Sequence, residues 1–313
     1  MPNYNYAIYL KSRLDSIINQ SHPIFEIIIL DDASTDDSLQ VIEQCLLKTK
    51  IDTQVIKNKH NSKSVFKQWI KAIQLAKGDI IWIAEADDEA HVEFLKKSLS
   101  YFDDDDVVMT YTQSKQIDEK GNVLNDTYFD YTNDIDLHKW QNNFVNDGIE
   151  ELTTALSVKN TIPNVSAVLF RKKNLISAIE SCKPLLVELN IAGDWLVYSE
   201  MLKQGKLAFI AESLNNHRRH QKSVTVAPSS YARHLAEIIL MQNKIKDLID
   251  VNMSLEEKQK SYIKKIFHQF DLDKKTMNPE EHDLVKKELN TLKFLSLLCT
   301  SERSKKLNHL HSE

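Results

Sequence analysis

Two acidic pairs in this chain stand where chemistry can be done, Asp31-Asp32 and Asp87-Asp88. Each follows an apolar run, Ile27 to Leu30 and Ile80 to Ala84. Carboxylates at the carboxyl ends of strands face the crevice in which open α/β sheets bind ligands. The second pair lies in Glu85-Ala86-Asp87-Asp88-Glu89, four carboxylates in five residues. Such oxygen donors suit hard divalent cations, and Mg2+ or Mn2+ held by one or two of them commonly completes its shell with water and nucleotide phosphates. A diphosphate ligand would account for the cluster. The same residues also make good helix caps, as do Ser34, Thr35 and Asp36 after the first pair, so either motif alone is balanced between ligand binding and capping.

Carboxylates of this kind need a rigid frame. Leu10, Leu14, Ile17 and Ile18 recur at helical spacing, and the run stops near His22-Pro23, where proline interrupts a helix. Phe25 to Leu30 reads as a strand, apolar almost throughout and therefore buried on both faces, as in a parallel sheet covered by helices. Helices over 38–47 and 65–77 alternate with strands over 53–57 and 79–84, with Gly78 placed to end the second helix. Trp69 shares helical spacing with Phe66, Ile70 and Ile73 and reads as core. A helix near 91–102, the acidic turn Asp103 to Asp106 and a strand from Val107 to Tyr111 precede a polar stretch with a turn at Lys120-Gly121-Asn122. The alternation predicts an α/β fold with a mainly parallel sheet, less regular in the middle. From about 231, Leu235, Ile238, Ile239 and Ile245 recur at helical intervals among charges, which predicts a helical C-terminal extension with a mobile tail rich in Lys, His and Ser. The expected division is an α/β domain over 1–226 and a helical extension over 227–313.

Composition excludes several classes. At 313 residues, 42% hydrophobic and 27% charged, the chain falls in the ordinary globular range. A net charge of −5 gives no global attraction to nucleic acid. The apolar runs are far shorter than the roughly 20 residues of a membrane-spanning helix, so the chain is not expected to cross a membrane by itself. Cys45, Cys182 and Cys299 are widely spaced and form neither a disulfide framework nor a thiolate metal site, which fits a reducing cytoplasm. With five glycines in the whole chain there is no Gly-rich phosphate loop, which disfavours a nucleotidyltransferase.

Taken in order, three segments carry a resemblance: Tyr4-Asn5 before a helix, the strand and turn from Phe25 to Ser34, and the segment from Ala76 to Asp88. Together they resemble the N-terminal half of a family 2 glycosyltransferase, and the likeness extends over roughly 2–226. It implies a GT-A fold, Rossmann-like with a mainly parallel sheet flanked by helices, and an inverting transfer of a hexose-type sugar from a nucleotide-diphosphate donor, UDP-linked by preference, to a glycan or glycolipid acceptor. Donor contacts would come from Pro2, Tyr4, Asp32, Lys67, Asp87 and Arg219, with Asp32 pairing with the base and Tyr4 stacking near it. Mn2+ or Mg2+ would be held by Asp88 first, with Asp87 and His220. Asn164 to Arg171 resembles the acceptor-side strand, and Asp194, in Gly193-Asp194-Trp195, would be the catalytic base; without the family context it reads as a helix cap. The basic run His217-Arg218-Arg219-His220 before Ser223-Val224-Thr225 resembles a late motif near the donor diphosphate, where cations stabilise a departing nucleotide.

The likeness also sets expectations about context: surface polysaccharide or glycolipid synthesis, a cytoplasmic location with peripheral contact at the inner membrane face, and room for an oligomer. Two departures stand out. The family usually has a whole strand before Tyr4-Asn5, and its absence reads as a truncation that exposes the neighbouring strands. It also often has glycine where Lys63 stands, in a turn that needs positive φ. The rival to an enzyme is a catalytically inactive nucleotide-sugar binder or interaction module.

Overall fold

Helical spacing puts Leu10, Leu14 and Ile17 in one buried row, and in the computed structural model of the chain they form the inner face of α1 (Ala7–Ile18). The structure describes residues 1–220, 230–249, 253–270 and 272. The expected mobile tail and Ser223-Val224-Thr225 lie outside the described residues. The strands are β1 (Pro2–Asn3), β2 (Glu26–Asp31), β3 (Asp52–Lys57), β4 (Ile80–Trp82), β5 (Glu89–Ala90), β6 (Val107–Ile117), β7 (Val123–Asn125), β8 (Phe144–Asn146), β9 (Val168–Arg171) and β10 (Lys206–Arg218). The helices after α1 are α2 (Ser38–Leu46), α3 (Val65–Leu75), α4 (Phe94–Leu99), the short α5 (Phe129–Thr132) and α6 (Gly148–Glu151), α7 (Lys172–Leu186), α8 (Gly193–Leu202), α9 (Tyr231–Lys246) and α10 (Met253–Gln269).

Two compact units can be distinguished, Met1–Leu156 with Asn160–Gln221, and Ser157–Lys159 with the chain from Lys222 onward. The larger unit holds two sheets. In the first, β1, β2 and β3 lie side by side and parallel, with Leu30 opposite both Pro2 and Ile56. Ile27, Ile28, Ile29 and Leu30 are all buried, as their unbroken apolar run requires. The second sheet has the order β4-β9-β6-β10-β5, with β7 beside β6 and β8 beside β10. Pairing there is parallel between β6 and β10 and antiparallel elsewhere. The strand expected to end at Tyr111 runs on to Ile117 because β10 continues to pair with it, across register shifts between Ile210 and Asn215.

Gly78 does not cap α3. The helix stops at Ala76 in an extended conformation, and the backbone N–H groups of Lys77 and Gly78 donate to the Glu26 carboxylate at 2.5 and 3.1 Å. A side chain from β2, invisible to a local pattern, supplies the stop.

The two sheets are not hydrogen-bonded to each other among the described residues. A cavity of about 490 Å³ lies between β2 and β4, lined among others by Met1, Ile28, Trp69 and Ile81. Ile80, Ile81 and Trp82, which line it, are only half-buried. The α-amino group of Met1 is enclosed here and donates to the Ile28 carbonyl at 2.8 Å. Burial pushes its pKa down to about 5.

In the smaller unit, Gln242 on α9 and Gln259 on α10 donate their side-chain amides to the carbonyls of Val158 and Ser157 at 2.8 and 2.6 Å. No helix among the described residues is long and apolar enough to cross a membrane.

Candidate active site

The acidic loop begins where β4 ends. Trp82 is fixed by its indole N–H, which donates to the Ser166 carbonyl at 2.8 Å, and the Glu85 backbone N–H donates to Ser166 Oγ at 3.0 Å. From the other side comes Arg218, at the end of β10 and 3% exposed. Its Nε donates to the Asp87 carbonyl at 2.8 Å, one Nη to the Asp118 carbonyl at 2.9 Å and the other to the Glu89 carboxylate. The guanidinium also lies over the Tyr9 ring at 4.9 Å. A buried charge is tolerated when paired and hydrogen-bonded, and Arg218 meets both conditions by clamping the loop.

That clamp gives the four carboxylates different environments. Asp88 is buried, with one oxygen accepting from the Arg218 backbone N–H at 2.9 Å and the other from the Asn164 amide at 2.8 Å. Glu85 is half-buried and accepts from the Trp69 indole at 3.1 Å. Burial, together with the charges of Asp87 and Asp88, pushes its pKa up to about 8. Glu89 is taken by Arg218. Asp87 is the carboxylate that faces an imidazole: its Oδ2 is 2.9 Å from His220 Nε2. His220 in turn stacks on Tyr9 at 5.4 Å and meets Tyr6 edge-on at 5.8 Å.

Extended chain has a period of two, so Arg218 and His220 reach the acidic loop together. Arg219, between them, is half-buried and its backbone N–H donates to Ile117 at 2.8 Å. His217 pairs instead with the Tyr128 hydroxyl.

Other residues singled out in the sequence lie around the ends of β1 and β2. Pro2 pairs within β1, and Tyr4 is exposed. Asp32 is buried, and its carboxylate accepts from Asn58 at 2.6 Å, Gln68 at 2.9 Å, the Ser62 hydroxyl at 2.7 Å and the Ser62 N–H at 3.0 Å. Those bonds occupy about all the lone pairs a carboxylate offers, so Asp32 here organises the turn before α3. Lys63 in that turn has φ of 56°, the positive value expected where glycine would be preferred. Lys67 is exposed, with Nζ 3.5 Å from the Ser62 carbonyl.

Asp194 sits in the first turn of α8, accepting from Asn160 at 3.1 Å. A chain of contacts ties it to the acidic loop. Gly193 abuts the Phe66 ring so closely that an added Cβ would come within 2.4 Å of it. Phe66 packs edge-on against Trp69 at 5.1 Å, and Trp69 donates to Glu85. Trp69 is core, as its spacing indicates, and is also the hydrogen-bonded link between α3 and the loop.

The sequence reading passed over Arg218 and the amide of Asn164 as partners of the loop. Both lie in segments noted for their resemblance, but their contacts join residues 130 and 76 positions apart. Among the described residues no group of three His, Cys, Asp or Glu could hold a metal ion. Asp87 with His220 offers an oxygen and a nitrogen donor side by side, which suits Mn2+ better than Mg2+, whose shell is built of oxygens; water and donor phosphates would complete the shell.

Against known proteins, the sequence profile described as Glycosyl transferase family 2 matches residues 1–163. Among curated proteins, Staphylococcus aureus poly(ribitol-phosphate) beta-N-acetylglucosaminyltransferase TarS is 28% identical over 123 residues, 39% of this chain and 21% of that protein. The match thus spans about a fifth of that relative's length. Among solved structures, S. aureus TarS 1–349 in complex with UDP-GlcNAc aligns with a TM-score of 0.62 at 18% identity, covering 92% of this chain and 78% of that one. The mannosyltransferase PcManGT from Pyrobaculum calidifontis, in complex with GDP-Man and Mn2+, aligns with a TM-score of 0.56 at 14% identity, covering 96% and 78%. These neighbours share the GT-A fold.

Proposed function

The chain belongs to glycosyl transferase family 2, and from that premise we propose that it moves a hexose-type sugar from a UDP-linked donor to an acceptor hydroxyl with inversion, in the assembly of a surface polysaccharide or glycolipid. That it is a glycosyltransferase follows from the family. The donor, the stereochemistry and the acceptor are our reading. The observation that carries it is the meeting of Asp87 and His220 on a loop clamped by Arg218. TarS, a relative and fold neighbour, is named for acetylglucosamine transfer and has been solved with UDP-GlcNAc, which supports a UDP donor.

In this reading Asp87 and His220 would hold a divalent cation beside the donor diphosphate, and Asp88, whose oxygens accept from Arg218 and Asn164, would join them by exchanging one of those bonds. A bound cation would supply charge stabilisation to the departing nucleotide diphosphate. Tyr4 stacks near the base at the end of β1, beside Pro2. Asp32 reaches the base only by exchanging one of its internal hydrogen bonds. Lys67 and Arg219 add positive charge along the donor path. Asp194, in the first turn of α8, accepts the proton of the acceptor hydroxyl as its oxygen attacks the anomeric carbon.

Calorimetric titration with UDP-, GDP- and dTDP-sugars, with and without Mn2+, tests the proposal. Mn2+-dependent binding of a UDP-sugar is the expected result. Equal binding with and without the metal would remove the Asp87-His220 site, and preference for another nucleotide would remove the UDP assignment.

A further inference from the structure

One charged side chain beside the acidic loop has no hydrogen-bond partner. Arg13 on α1 is 0% exposed, and its Nε and both Nη atoms lack a hydrogen-bond partner. Its guanidinium lies 4.9 Å from the centroid of the Trp82 ring. Trp82 ends β4 three residues before Glu85, and α1 packs directly against β5, which carries Glu89. An enclosed guanidinium without hydrogen bonds is costly to bury, and a ring face offsets only part of that cost.

We propose that Arg13 is a positioning residue that sets the strength of the cation site from within the protein, as the buried countercharge of the loop from Glu85 to Glu89. The inference rests on the reading of Asp87 and His220 as that site. Arg218 balances the loop by contact. Arg13 balances it through the field: burial disfavours its charge, and Asp88, Asp87, Glu85 and Glu89 favour it. Two buried guanidinium groups beside the loop leave it less negative than its composition implies. A divalent cation is then held weakly until the donor diphosphate brings its own negative charge. Removing the Arg13 charge makes the loop more attractive to a bare cation and less hospitable to a bare nucleotide.

The test is titration of Mn2+ followed by electron paramagnetic resonance, with and without UDP, on the wild-type chain and on Arg13→Met and Arg13→Lys. Arg13→Met is expected to bind Mn2+ without nucleotide at least about tenfold more tightly, and Arg13→Lys to match wild type. A merely packing role predicts unchanged or weaker metal binding in Arg13→Met, and that result in a variant of native circular dichroism overturns the proposal. Should Arg13→Met fail to fold, Arg13→Gln takes its place. A tenfold change in Arg13→Lys, where the charge is kept, overturns the proposal independently. If the wild-type chain binds no Mn2+ even with UDP, the cation site itself fails, and this inference with it.

Discussion

Asp194 and Asp87 are the residues on which chemistry is proposed to turn, and each meets a side chain from another part of the chain. Asn160 orients Asp194, and His220 faces Asp87. Asp194→Asn keeps the shape and removes the base, so kcat is expected to fall by about 10²- to 10⁴-fold with donor affinity unchanged, as steady-state kinetics and calorimetry would show. A loss of donor affinity instead would make Asp194 a binding residue. Ala33 stores strain beside the same crevice: its φ is 63°, and the N–H of Ser34 donates to the Asp31 carboxylate at 3.0 Å. Ala33→Gly relieves a left-handed alanine and is expected to raise stability by about 0.5–1 kcal/mol in urea denaturation, the backbone entropy of glycine offsetting part of the gain.

At the scale of elements, β10 is the arm that delivers the basic residues. Its long parallel pairing with β6, bulged near Ser213, carries Arg218 to the loop after β4. The helical extension shows how a single helix face responds to pH. His234 on α9 packs against Phe270 at 5.2 Å, and burial pushes its pKa down to about 4, opposed by Glu237. Above the unfolded value of about 6.5 both states are neutral and nothing is lost. As pH falls toward 4 the unfolded chain takes up a proton that the folded chain refuses, so stability falls by at most about 3 kcal/mol over that window. His234→Leu is expected to flatten this dependence, measured as the difference in unfolding free energy between pH 7 and pH 4.5. An unchanged slope would show that other groups dominate.

At the scale of the whole molecule, the cavity between β2 and β4 borders Met1 and Pro2 at the start of β1. Met1 already continues the β1–β2 ladder, donating to Ile28 and accepting from the Leu30 N–H at 3.0 Å. An extended apolar segment of about six residues fused ahead of Met1 would continue β1 alongside β2. It would also replace a buried amine with a peptide bond. Such a fusion is expected to raise Tm by at least about 5 °C in a thermal melt, whereas a proline-rich segment, lacking N–H donors, is expected to leave it unchanged. Equal effects from both would show that the slot does not act as a strand site.

The sequence by itself determined the elements and the chemical class. Apolar runs and helical spacings marked β2, α1, α3 and α9, because burial imprints its period on neighbouring residues. Three ordered motifs marked the family, because each is local. What only the tertiary structure decided is the state of each charge. Four acids adjacent in sequence look equivalent, yet Asp88 is spent on Arg218 and Asn164, Glu89 on Arg218 and Glu85 on Trp69, while Asp87 faces His220. Arg13, which helical spacing alone would place among the apolar residues of α1, proves to be an enclosed cation beside them. The free energy of a charge depends on what lies within a few ångströms of it, and here those neighbours come from strands and helices far apart in the chain.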